Sequence, residues 1–126
     1  MKFIKTEQFL KKGNDFNILI IHDYNDYLFE HGWCLYVRIF KNHPLFEKAS
    51  KNDCDYDMDL GNEIYPHWHC GCTYYNKQST YIQIGCDYKH IGDEELWHES
   101  EIPAQVDLDA EELYDFFEKA AEGGNK

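Results

Sequence analysis

Trp33-Cys34-Leu35-Tyr36-Val37-Arg38-Ile39-Phe40 is the stretch that decides the fold class. In an extended chain successive side chains alternate, so Trp33, Leu35, Val37 and Ile39 share one face. Cys34, Tyr36, Arg38 and Phe40 take the other. A strand with its purely apolar face turned to a core fits this pattern. Upstream, Phe16-Asn17-Ile18-Leu19-Ile20-Ile21-His22 is rich in β-branched residues and reads as a first strand. Downstream, His67–Tyr75 and Thr80–Asp87 read as two more, joined by the turn-like Asn76-Lys77-Gln78-Ser79.

Helical signals flank these strands. Thr6 to Gly13 reads as a short N-terminal helix, with Thr6 as N-cap and Gly13 as stop. Near the other end, Asp109-Ala110-Glu111-Glu112 resembles an acidic capping box. Leu113, Phe116, Phe117 and Ala120 then fall at i, i+3, i+4 and i+7, the stripe of an amphipathic helix, and Gly123-Gly124 closes it. The expectation is an α+β fold: an antiparallel sheet of about four strands, a short N-terminal helix, and a C-terminal amphipathic helix packed across one face. Residues 1–126 read as a single domain, with 41–63 as a long acidic surface loop.

Composition fits a folded core, since 43% of residues are hydrophobic and 17% aromatic, and buried rings remove large apolar areas from water. The opening Met1-Lys2-Phe3-Ile4-Lys5-Thr6-Glu7 has no apolar run of signal-peptide length, and no later stretch matches a membrane span. Five cysteines (Cys34, Cys54, Cys70, Cys72 and Cys86) then read as reduced thiols, and the cytoplasm as the compartment. Net charge is −12 and unevenly spread. Residues 1–52 hold 8 Lys/Arg against 6 Asp/Glu, whereas residues 53–126 hold 4 against 18. So acidic a half repels phosphates and argues against direct nucleic-acid binding. It leaves two readings: charge that keeps the protein in solution, or an acidic face that docks on a basic partner.

The alternating acids Asp53, Asp55, Asp57 and Asp59 invite a calcium reading, which fails on spacing. A calcium loop needs Gly at its sixth position and Glu at its twelfth. Counting from Asp53 gives Met58 and Ile64, and from Asp55 Leu60 and Pro66. A solvated acidic loop is the better account. His67-Trp68-His69-Cys70-Gly71-Cys72 is the densest set of metal-ligand types, but no Cys-x-x-Cys turn is present to wrap a zinc ion. In a strand His67 and His69 face away from Cys70 and Cys72, so a zinc site there needs a bulge at Gly71. No other cofactor motif is present. At the end of the last strand, Asp87 and His90 stand close enough to pair as an acid–base couple, with Asp93 in reach. The alternative is that both acids cap the backbone amides of a turn.

Taken in order, Gly32-Trp33-Cys34-Leu35-Tyr36-Val37, His43-Pro44-Leu45-Phe46, His69-Cys70-Gly71-Cys72-Thr73-Tyr74 and Ile84-Gly85-Cys86-Asp87-Tyr88-Lys89-His90-Ile91-Gly92-Asp93 resemble a group of small phage and prophage proteins. The shared pattern of that group runs G-Y-V-x-x-x-x-x-H-P-L-[YF], H-G-G-x-T-[FY] and G-x-D-x-x-H-x-G-D. The matching polar positions are His43, His69, Thr73, Asp87, His90 and Asp93, over about residues 30–93. At Cys70 the chain departs from the group's Gly, which removes backbone freedom beside His69. The resemblance implies a phage setting, and hence a host cytoplasm, rather than a reaction. It leaves open whether the polar set is one pocket or a hydrogen-bonded network bracing loops.

Three functions of different class follow. The first is a phage-encoded acidic accessory protein that binds a host protein through Asp53, Asp55, Asp57, Asp59, Glu111 and Glu112, such as an anti-CRISPR-like inhibitor of a nucleic-acid-binding defence system. The second is a small His/Asp-dependent enzyme or metalloprotein centred on His43, His69, Asp87, His90 and Asp93, with Asp87 and His90 as the catalytic candidates. The third is a binder of a small nucleotide-like ligand. The first is the leading expectation, favoured by the acidic half, the small size and the phage resemblance, since a small acidic protein can occupy a basic nucleic-acid channel.

Overall fold

The computed structural model describes residues 4–25, 30–51, 58–69, 71–88 and 101–123. Five strands, β1 (Ile4–Lys12), β2 (Phe16–Asn25), β3 (Glu30–Phe40), β4 (Tyr74–Lys77) and β5 (Tyr81–Asp87), form one antiparallel sheet in the order β1-β2-β3-β5-β4. Three helices accompany them among the described residues: α1 (Phe46–Ala49), α2 (Met58–Ile64) and the long α3 (Glu101–Gly123).

The expected N-terminal helix at Thr6–Gly13 is instead strand β1, which brings the sheet to five strands rather than about four. Gly13 is not a helix stop but the start of a tight turn. Its N–H donates to the Phe16 carbonyl at 2.8 Å, and Asp15 turns the chain at φ 64°. That turn fixes β1 against β2 from Lys12↔Asn17 out to Ile4↔Asn25. Nine paired residues outweigh a weak local helix preference.

Alternation then assigns the faces. On the inner face Phe16, Ile18, Leu35, Val37, Ile39, Ile82, Ile84 and Cys86 are buried, with Trp33 half-buried against them. Helix α3 lies across β2 and β3 and presents Val106, Leu113, Phe117 and Ala121 as buried residues. Phe116 is half-buried beside them. The helix starts at Glu101, a full two turns before Asp109, and Pro103 sits in its first turn, where a missing N–H leaves no partner unbonded. Residues 41–63 are not one continuous loop, because α1 and part of α2 fall inside them. Residues 67–69 and 71–73 are irregular rather than extended, and β4 starts only at Tyr74. Trp68 explains this: its indole Nε1–H donates to the Gly61 carbonyl at 3.2 Å and draws the segment onto α2. Gly71 takes φ 86°, a conformation that suits glycine.

Candidate functional site

His43 follows β3 and is 2% exposed. The Leu45 backbone N–H donates to its Nδ1 at 3.1 Å, so Nδ1 is unprotonated and the proton sits on Nε2. Nε2–H then donates to the Phe117 carbonyl at 3.0 Å, and the ring packs edge-on against Phe16. Both nitrogens are used, and the imidazole ties α3 to the turn after β3. Burial holds its pKa below the ordinary 6.5, and the nearby Phe117 carbonyl, Asp15 and Glu118 only partly oppose this.

The unfolded chain therefore takes the proton first. Stability is complete above about pH 6.5 and declines as pH falls from there toward the folded-state pKa. The contribution of one such proton is at most about 1.4 kcal/mol per pH unit. Thermal unfolding across this window should show the decline in the wild type and a flatter profile in His43→Gln. An unchanged profile in the variant would assign the dependence to another group.

The remaining polar positions divide between the faces of the sheet. Thr73 Oγ1 donates to Asp87 Oδ2 at 3.3 Å, and Asp87 stands opposite Cys34 on the outer face. Beside them Tyr36 crosses Gly85 and meets Tyr74 edge-on at 5.1 Å. Burial first, then hydrogen bonding to Cys34 and the proximity of Tyr74 and Asp87, hold the Tyr36 phenol above its usual pKa. His69 belongs to the inner face, stacked on Tyr88 at 4.6 Å. The Tyr88 hydroxyl donates to Asp109 Oδ2 at 2.6 Å, and Gln105 Nε2 donates to Asp109 Oδ1 at 2.8 Å. Burial pushes the Cys86 thiol up to about 12, so it is unreactive at neutral pH.

Thr73 and Asp87 are thus brought together, whereas His43 lies on the inner face near Ile39. At about 3.3 Å per residue, the run from Cys34 to Ile39 separates them by roughly 17 Å along the sheet. His90 and Asp93 lie outside the described residues. So do Cys70, Asp53, Asp55 and Asp57. His67 is exposed, whereas Cys72 is buried with its Sγ turned to the Tyr74 carbonyl. Among the described residues, no group of three or more His, Cys, Asp or Glu could hold a metal ion. Cys34, Cys72 and Cys86 are buried thiols outside any disulfide.

The described surface of α2 and α3 carries a run of acids. Asp59 is exposed on α2, and Glu111 and Glu112 are exposed on α3. Asp107, Asp115 and Glu122 join them, and of these Asp107 is gained because the helix starts before Asp109. Asp107, Glu111 and Asp115 follow at i, i+4 and i+8, one carboxylate per turn, about 6 Å apart along the axis. Pro103 was the signal that could have placed the helix start earlier. Tyr36, Tyr74 and Tyr88 were not candidates from sequence, because only strand register brings them beside Asp87 and His69. No helix of the described residues is long and apolar enough to cross a membrane. No family model, no curated protein and no solved structure matches the chain.

Proposed function

We propose that this chain is an acidic binding protein that docks the exposed face of α3 on a basic protein surface of the kind that holds nucleic acid. The observation that carries the reading is the solvated file Asp107, Glu111, Glu112, Asp115 and Glu122, opposed by the single exposed cation Lys119 on the same helix. Such a face competes with phosphate for Lys and Arg and speeds encounter through its field. Asp53, Asp55, Asp57 and Asp59 supply a second acidic stretch. With the phage resemblance, the reading becomes an accessory protein acting in a bacterial host as an inhibitor of a nucleic-acid-binding defence protein, anti-CRISPR-like in kind.

The test is a pull-down from bacterial lysate with wild-type bait and with Glu111→Lys/Glu112→Lys. The wild type should retain a nucleic-acid-binding protein that added nucleic acid and salt displace. The double variant should bind it about tenfold or more weakly, at an unchanged melting temperature, because both positions are solvated. Undiminished binding by the variant would sink the reading. Loss of function in Asp87→Asn, with melting temperature and partner binding intact, would favour a reaction at Thr73 and Asp87 instead.

A further inference from the structure

Strand β1 is the edge of the sheet, and every residue from Thr6 to Lys12 is exposed. Among the described residues no element pairs with its outer side. The Gly13–Phe16 hydrogen bond sets which of its backbone groups are used. In an antiparallel ladder alternate residues bond to one neighbour. Residues 7, 9 and 11 therefore bond to β2, and the N–H and C=O groups of Thr6, Gln8, Leu10 and Lys12 point outward. On the inner face, Glu7, Phe9 and Lys11 line the open side. Phe9 is 49% exposed and Leu10 46% exposed. Lys11 Nζ lies over the Tyr114 ring at 4.0 Å, and Glu7 stands 3.9 Å from His22. Between β1 and α3 runs a groove of about 280 Å³ lined by Phe9, Ile18, Ile20 and Ala110, with Asp107 and Glu111 on its helix side.

The free groups of β1 match those of an identical strand in one register. An antiparallel pair centred on Phe9 sets Gln8 against Leu10 and Thr6 against Lys12 as hydrogen-bonded pairs, which uses the outward groups. Phe9 then meets Phe9 of the second copy, and Glu7 meets Lys11 of the second copy, twice by symmetry. These are close, non-hydrogen-bonded pairs whose side chains interact best. Centring on Gln8 would set Lys5 against Lys11, and centring on Glu7 would set two glutamates together. Centring on Leu10 pairs only residues 8–12 and loses both ion pairs.

We propose that two copies of this chain associate through β1 in the register centred on Phe9, forming a continuous ten-stranded sheet from the two five-stranded ones. Both helices then lie on one side, and the two apolar grooves merge around the Phe9 pair. The occupant of the open edge is the second copy, because charge complementarity between Glu7 and Lys11 selects it. A closed pair also satisfies an edge that would otherwise invite open-ended pairing.

Sedimentation equilibrium of the whole chain tests this directly. Wild type should show a monomer–dimer equilibrium that tightens as salt screens the repulsion between two chains of net charge −12. Glu7→Lys and Lys11→Glu should each weaken association about tenfold, and the double swap should restore it. Glu7→Lys raises the net charge to −10 and Lys11→Glu lowers it to −14, whereas the double swap returns it to −12. Tighter association of Glu7→Lys than of wild type would show that net charge alone rules, and would overturn the register. Phe9→Cys should cross-link to itself under mild oxidation faster than wild type, since non-hydrogen-bonded pairs sit within disulfide reach. A monomer at every concentration and salt, or cross-linking no faster than wild type, overturns the proposal.

Discussion

Replacing Phe117 by alanine is expected to remove about 3–5 kcal/mol of folding stability, as a cavity substitution in a closely packed site. The ring is fully buried and touches Phe16, Tyr65 and Phe116 as well as the His43 imidazole. Apart from Phe116 on α3 itself, those neighbours come from β2, from the chain after α2 and from the turn after β3, so they cannot collapse together into the vacated space. The loss reaches past packing, because the Phe117 carbonyl is the acceptor for His43. A shift of the helix weakens that bond too. Urea titration should show a lower midpoint at an unchanged slope. A loss under about 1 kcal/mol would mean that α3 is held mainly by other contacts.

Gly85→Ala should be the next most damaging change, at about 2–4 kcal/mol. A methyl group there would meet the Tyr36 ring at Cδ1 and the Leu35 carbonyl oxygen, each inside any allowed approach. The ring can swing aside only by abandoning Tyr74, its edge-on neighbour at 5.1 Å. The backbone oxygen cannot move without disturbing the β3–β5 ladder. Thr73 is drawn in as well, since its N–H donates to the Gly85 carbonyl at 2.9 Å. The same titration checks the cost, and Tyr36→Leu in the Gly85→Ala background should recover part of it. A destabilisation within about 0.5 kcal/mol, the usual range of a surface substitution, would refute this account.

What the sequence revealed depended on how local each signal was. Strands β3 and β5 are written in period-two alternation over seven or more residues and were legible at once. Strand β1 was not, because Thr6 and Gly13 carry cap and stop signals that also fit the start and turn of a hairpin. Only pairing with β2 separates the two. Helix α3 was legible in its apolar stripe but not in its length, since Asp109, read as a cap, sits in its interior and accepts from Tyr88 and Gln105. The polar positions were harder still. His43 was visible as a candidate, but its acceptor lies 74 residues away in Phe117. The contact between Thr73 and Asp87 depends on the register of β4 with β5, which no local pattern encodes.

The order β1-β2-β3-β5-β4 also divides the sheet by the entropy of bringing its parts together. Strands β1 and β2 join through a tight turn, as do β4 and β5, and each is a local closure. The boundary between β3 and β5 closes only when residues 41–80 are gathered into one large loop. Chain statistics make that closure roughly 2 kcal/mol costlier than a turn of a few residues. Leu35, Val37, Ile39, Ile82, Ile84 and Cys86, all 0–1% exposed, lie along that boundary. The sheet is driest where its chain has farthest to travel, and burial there offsets the conformational freedom given up by the loop.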